Sequence, residues 1–120
     1  MQYMLLIHDE SALQQLPDAE RGKLMQEYFA YTNGLRESGA YVDGNPLQPA
    51  TAAATVRVRD GERLVTDGPF AETKEQLGGY YIVEADSIEE AIEHAARIPS
   101  ARIGTIEVRP VLQIPAETPA

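Results

Sequence analysis

The sequence predicts an α+β domain: two strand–helix–strand halves with a β-hairpin inserted between them, folded into one antiparallel sheet with both helices on a single face. Three observations lead there. Apolar runs at 3–7, 80–84 and 105–112 read as strands. Two longer segments carry apolar residues at helical spacing, one in each half. Between the halves, Thr55-Val56-Arg57-Val58-Arg59 alternates polar and apolar and then meets Asp60-Gly61, a hairpin turn. Right-handed crossovers bring both helices of such a split βαβ pattern to the same side, which is the ferredoxin-like arrangement.

Tyr3 to Ile7 forms the first strand and stops at His8-Asp9-Glu10. Pro17 opens the first helix, where a missing N–H costs nothing. Leu24, Tyr28, Tyr31 and Leu35 give its apolar stripe, Met25, Phe29 and Thr32 widen it, and Gly39 stops it. A second, irregular strand spans 40–48, closed by Pro46 and Pro49. The hairpin covers 55–66, with Arg63 to Thr66 as its return strand. Asp67-Gly68-Pro69-Phe70 breaks it, and a polar segment leads through Gly78-Gly79 into the strand Tyr80 to Glu84. Ser87 and Glu90 have capping-box spacing at the start of the second helix. Ile88, Ala91, Ile92 and Ala95 define that helix's buried stripe, which leaves His94 facing solvent. Pro99 ends the helix, Thr105 to Leu112 is the last strand, and 113–120 is a loose tail. No linker divides the halves, so residues 1–112 are one domain.

Strand residues of both parities are apolar, Met4 and Leu6 as well as Tyr3, Leu5 and Ile7. A sheet wetted on one face should alternate more cleanly. With no helix left over, a second copy of the chain is expected to cover the open face as a two-fold homodimer.

The net charge of −9, from 19 acidic and 10 basic residues, argues against nucleic acid and anionic membrane surfaces as partners. The absence of cysteine removes disulfides, thiolate nucleophiles and thiolate zinc sites. No apolar run approaches the roughly 20 residues needed to span a bilayer, and the N-terminus lacks a basic leader. A cytoplasmic protein is the reading. No phosphate loop, dinucleotide fingerprint, GxSxG elbow or HExxH motif occurs, so neither a cofactor nor a metal is expected.

The run from Asp67-Gly68-Pro69-Phe70-Ala71-Glu72-Thr73-Lys74 to Leu77-Gly78-Gly79-Tyr80-Tyr81 resembles the signature of the DGPF-type proteins, a branch of the YCII-related family. Tyr3 to Ile7, Leu47-Gln48-Pro49 and Ile106 to Pro110 are also similar, so the resemblance covers residues 1–112. It implies a ferredoxin-like fold of the dimeric α+β barrel type. Members of this branch are often encoded beside extracytoplasmic-function sigma factors, which implies a stress or signalling role. The wider family's proposed catalytic His–Asp pair would place its histidine near Tyr28, but the first helix here has no histidine, so that pair does not carry over.

His8, at a strand end, is a candidate general base near neutral pH. Asp67 is a candidate carboxylate at a cleft mouth, or a turn residue bonding backbone N–H groups two residues on. Phe70 would anchor that loop in an apolar pocket. Lys74 is a candidate anion-binding or lid residue, with Gly78-Gly79 as a hinge or a bulge. Tyr28 and Tyr81 suit a cavity wall, each burying a ring while its hydroxyl needs a partner. Tyr80 and Tyr81 point to opposite faces. Arg109 can clamp an anion or pair with a carboxylate. Two functions follow: a small cofactor-independent enzyme working on a small organic molecule by acid–base chemistry, or a non-catalytic ligand-sensing or dimeric regulatory module linked to a sigma-factor stress response.

Overall fold

The computed structural model of the chain describes residues 1–9 and 16–115. Glu10 and residues 116–120 of the expected tail lie outside the described residues. The elements run β1 (Gln2–Asp9), α1 (Asp18–Glu37), β2 (Tyr41–Pro46), β3 (Ala54–Arg59), β4 (Glu62–Asp67), β5 (Gln76–Glu84), α2 (Ile88–Ala96) and β6 (Thr105–Pro110). Short 3-10 turns occupy Ala50–Ala52 and Pro99–Arg102.

The main sheet has the order β2-β5-β1-β6 and is antiparallel throughout. That is the ferredoxin-like arrangement, with β3 and β4 set apart as a two-stranded hairpin. Tyr3, Leu5 and Ile7 of β1, with Tyr81 and Val83 of β5, turn toward the helices and meet Leu35 of α1 and Ala91 and Ala95 of α2. Leu5 is 0% exposed. Full burial of such a side chain stabilises by about 1.5–3 kcal/mol.

Local chemistry sets the element ends. Gly39 has φ +78°, and Ala40 N donates to Leu35 O at 3.0 Å, so α1 closes in a left-handed C-terminal cap. Asp60 and Gly61 both have positive φ, 51° and 77°, as a type I′ hairpin turn requires. Ser87 Oγ accepts from Glu90 N at 3.2 Å, and the Glu90 carboxylate accepts from Asp86 N at 2.9 Å. β5 carries one extra residue opposite Ile7/His8, so Gly78-Gly79 belongs to a bulged ladder.

Two expectations about α2 need correcting. Only Ala91 and Ala95 of the expected stripe are buried; Ile88 and Ile92 are exposed. The small alanines let the helix approach the sheet closely, and the larger flank is turned outward. His94 does not face solvent: its side chain is 13% exposed, and its Nε2 is buried without a hydrogen bond among the described residues. The reason is its place one turn on from Ala91, on the flank facing α1, where Tyr31 Oη donates to the His94 carbonyl at 2.7 Å.

The hairpin is the outlier. Val56, Val58 and Val65 share one face and are 57–61% exposed. Gly68 N donates to Ala53 O at 2.7 Å and Thr55 Oγ1 to Gly68 O at 2.9 Å, closing the hairpin at its base. Among the described residues, no helix is long and apolar enough to cross a membrane.

Leu5→Ala should lower unfolding free energy by about 2–5 kcal/mol, and Ser87→Ala by about 1 kcal/mol. Urea unfolding with an unchanged slope would measure both; equal losses would contradict this account of the core.

Candidate functional site

A cavity of ≈ 300 Å³ lies between α1 and the part of the sheet formed by β2, β5 and β1. That is at the lower end of the roughly 300–1,000 Å³ typical of ligand pockets. Met25, Tyr28, Phe29, Thr32 and Arg36 recur at helical spacing along α1 and form one wall. Met25 and Phe29 therefore sit exposed at the cavity mouth instead of widening the core stripe. Asp9, Tyr81 and Ser100 supply the opposite side.

Asp9 enters the cavity by strand parity: it follows Ile7 by two residues and so shares the helix-facing side of β1. Glycines frame it. A Cβ on Gly104 would stand 2.4 Å from His8 O and 3.1 Å from Asp9 Cβ, and one on Gly78 would stand 3.5 Å from both Asp9 oxygens. Gly44 likewise gives way to the ring of Tyr81, 2.7 Å from where its Cβ would be.

The hydroxyls form pairs. Tyr28 Oη and Ser100 Oγ are 2.5 Å apart, and Thr32 Oγ1 and Tyr81 Oη 2.8 Å. The Tyr31 and Tyr81 rings meet edge to face with centroids 5.2 Å apart. Burial pushes the Tyr28 phenol above its ordinary value; its bond to Ser100 opposes the shift, while Tyr81 and the Asp9 charge add to it. Burial raises Tyr31 and Tyr81 in the same way, and for Tyr81 the bond to Thr32 and the Arg36 charge partly oppose the shift. All three stay protonated through neutral pH; Tyr31 donates to the His94 carbonyl, while in the Tyr28–Ser100 and Tyr81–Thr32 pairs either hydroxyl can be the donor. The Arg36 guanidinium stacks 4.7 Å above the Tyr41 ring at the cavity's other end. Among the described residues, no group of three or more His, Asp or Glu is placed to hold a metal ion.

Of the residues singled out from the sequence, Tyr28 and Tyr81 come together in this cavity. His8 and Lys74 line a separate, shallow groove with Thr73, Glu75 and Thr105. His8 points with Met4 and Leu6 to the open face, its Nε2 3.9 Å from Glu107, which also holds Arg109. Asp67 and Phe70 line neither cavity. Phe70 does not anchor its loop in an apolar pocket: it is 78% exposed, with Arg57 lying 5.6 Å over its ring, because the base of the hairpin offers no core to enter. Among the described residues no hydrogen bond joins the Asp67 side chain to the backbone beyond it, where Pro69 has no N–H to give. Tyr80 and Tyr81 do point oppositely, Tyr80 Oη reaching Asn45 Nδ2 at 3.1 Å on the open face.

Sequence reasoning passed over Asp9, Thr32, Arg36 and Ser100 as site residues. Alternation along β1 was the available signal for Asp9. Ser100 had none, since its partner Tyr28 is 72 residues away.

Because the folded pKa values of Tyr28, Tyr31 and Tyr81 lie above the unfolded value, the stability they contribute is complete below about pH 10 and falls as pH rises through the folded values. Absorbance titration of tyrosinate should show part of the six tyrosines ionising late, in step with alkaline unfolding. Six tyrosines ionising together near pH 10 in folded protein would contradict it.

The comparisons with known proteins agree with this architecture. An uncharacterized protein of Rhizobium meliloti (strain 1021) is 39% identical over 120 residues, covering 98% of this chain and 97% of that protein. A solved structure, the 5-chloro-2-hydroxyhydroquinone dehydrochlorinase TftG from Burkholderia phenoliruptrix AC1100 in complex with 2,5-dihydroxybenzoquinone, superposes with a TM-score of 0.54 at 18% identity. The match covers 93% of this chain and 94% of that one, and it shows a shared fold. The family model of the YCII-related domain matches residues 1–115, and the chain belongs to the YCII-related family.

Proposed function

We propose that this protein is a small cofactor-independent enzyme that moves a proton on a small cyclic organic molecule held between α1 and the sheet. The observation that carries the reading is the meeting of the Asp9 carboxylate and two protonated tyrosine hydroxyls in one aromatic-walled chamber. Asp9 accepts a proton from a carbon beside a carbonyl. The electrons of the C–H bond become the new C=C bond, and the carbonyl oxygen takes up negative charge. The Tyr28 or Tyr81 hydroxyl donates to that oxygen, and the same proton returns elsewhere on the enol. A ring of the size of a hydroxylated quinone suits the chamber, and the neighbouring dehydrochlorinase handles such a ring. His8 and Asp67 have no part in the step.

Dimerisation belongs to the same proposal. Met4, Leu6 and Ile82 make an apolar centre on the face away from the helices, among Glu107 and Arg109. A patch carrying both charges around an apolar centre can complement itself across a two-fold axis. We place the homodimer in the cytoplasm, in keeping with a chain that has no cysteine.

Thermal-shift titration with 2,5-dihydroxybenzoquinone and deuterium incorporation from solvent test the chemistry. Ligand at 100 times its dissociation constant should stabilise wild type by about 2.7 kcal/mol. Asp9→Asn should keep the fold and slow exchange by about 10²-fold or more. Binding without exchange would instead favour a ligand-sensing module, and binding untouched by Asp9→Asn and Tyr28→Phe would move the site elsewhere. Sedimentation should give twice the 13.2 kDa of one chain; a monomer at micromolar concentration defeats the dimer.

A further inference from the structure

We infer that Arg36 makes the chamber selective for an organic anion, a single-ring molecule whose carboxylate or enolate oxygen docks at the guanidinium while its reacting carbon faces Asp9. The inference rests on the acid–base reading of the chamber and names its substrate class.

Of the chain's 10 basic residues, Arg36 is the one that lines the chamber. Arg21, Arg102 and Arg109 are each held by a carboxylate: Asp18, Glu27 and Glu107. Arg36 differs. Among the described residues no carboxylate lies within ion-pair distance of it, and it lines the chamber. Its contact is the Tyr41 ring, 4.7 Å below the guanidinium carbon. Stacking covers one face of the guanidinium, limits its rotation and leaves the planar N–H edge open to an acceptor. A guanidinium so held is suited to a carboxylate or enolate, which it can meet with two parallel hydrogen bonds.

The chamber has two electrical ends. Asp9 acts on Tyr28, and Arg36 acts on Tyr81. Tyr28 and Arg36 are eight residues apart on α1, about 12 Å along the helix axis, and the long arginine side chain takes up part of that span. A negatively charged ring would therefore enter in one orientation, with its anionic group drawn to Arg36 and repelled by Asp9. The walls between are Tyr81, Phe29 and the Gly44 strand, flat and largely apolar surfaces that suit an aromatic or quinoid ring.

Calorimetric titration of the full chain with 4-hydroxybenzoate and its neutral analogue 4-hydroxybenzamide separates charge from shape. Wild type should bind the benzoate about 10-fold tighter or more, the scale of one hydrogen-bonded charge pair. In Arg36→Gln the ratio of the two affinities should fall to near one, and in Arg36→Lys, which keeps the charge and loses the planar fork, it should lie between. The ratio is read within one protein sample, so a loss of stability from the missing Tyr41 contact does not imitate the result. Asp9→Asn should keep the benzoate preference while losing deuterium exchange, so failure of the acid–base reading would leave the preference in place. Equal affinity in wild type, a ratio unchanged in Arg36→Gln, or no binding of either probe at millimolar concentration would overturn the assignment.

Discussion

Strand β1 is hydrogen-bonded along both edges, to β5 and to β6, and this leaves its side chains no freedom of facing. Tyr3, Leu5 and Ile7 must enter the core beneath the helices, and Met4, Leu6 and His8 must stand on the other side. A slip of one residue would exchange the two sets and expose the most deeply buried leucine. The same constraint carries Asp9 into the chamber and keeps His8 out of it, although the two are neighbours in the chain. Because the single extra residue of the bulge sits on β5, at Gly78, β1 keeps its alternation to the end. The bulge also gives the Asp9 carboxylate the bare backbone that lies against it.

The chamber's polar lining follows from what burial demands. A phenol taken from water without a partner costs roughly 1–3 kcal/mol, and Tyr28, Tyr31 and Tyr81 each have one: Ser100, the His94 carbonyl and Thr32. These bonds span separate elements. Tyr28 ties α1 to the turn after α2, Tyr31 ties α1 to α2 itself, and Tyr81 ties β5 to α1. The hydroxyls that would assist proton transfer thus also hold the helix layer together, so their positions are set before any ligand arrives.

Most of the fold was legible because its signals are local. Asp60-Gly61, Gly39 and the Ser87–Glu90 pair each declare a turn, a stop or a start within four residues, and all three formed as read. The halves followed from periodicity. The candidate site was legible only in part. Tyr28 and Tyr81, which line the chamber, stood out because a tyrosine combines a ring to bury with a hydroxyl to satisfy. Asp67 and Phe70 drew attention through their place in a family signature, but they sit at the base of a hairpin that turns away from the core. His94 was misjudged because a stripe drawn from the two isoleucines points slightly away from the side the alanines bury. Ser100 and Arg36 depend on contacts across the sheet–helix layer that no local pattern encodes.

The hairpin's closure at its base has an evolutionary meaning. Ala53 and Gly68 are bonded to each other, and Leu47 N reaches Gly78 O, so the chain leaves the sheet and returns to it at nearly the same point. β2 and β5, which the excursion interrupts, are already adjacent strands. The segment is therefore a detachable appendage: longer, shorter or differently charged versions cost little in loop-closure entropy. The chamber and the projecting arm can therefore diversify on separate schedules.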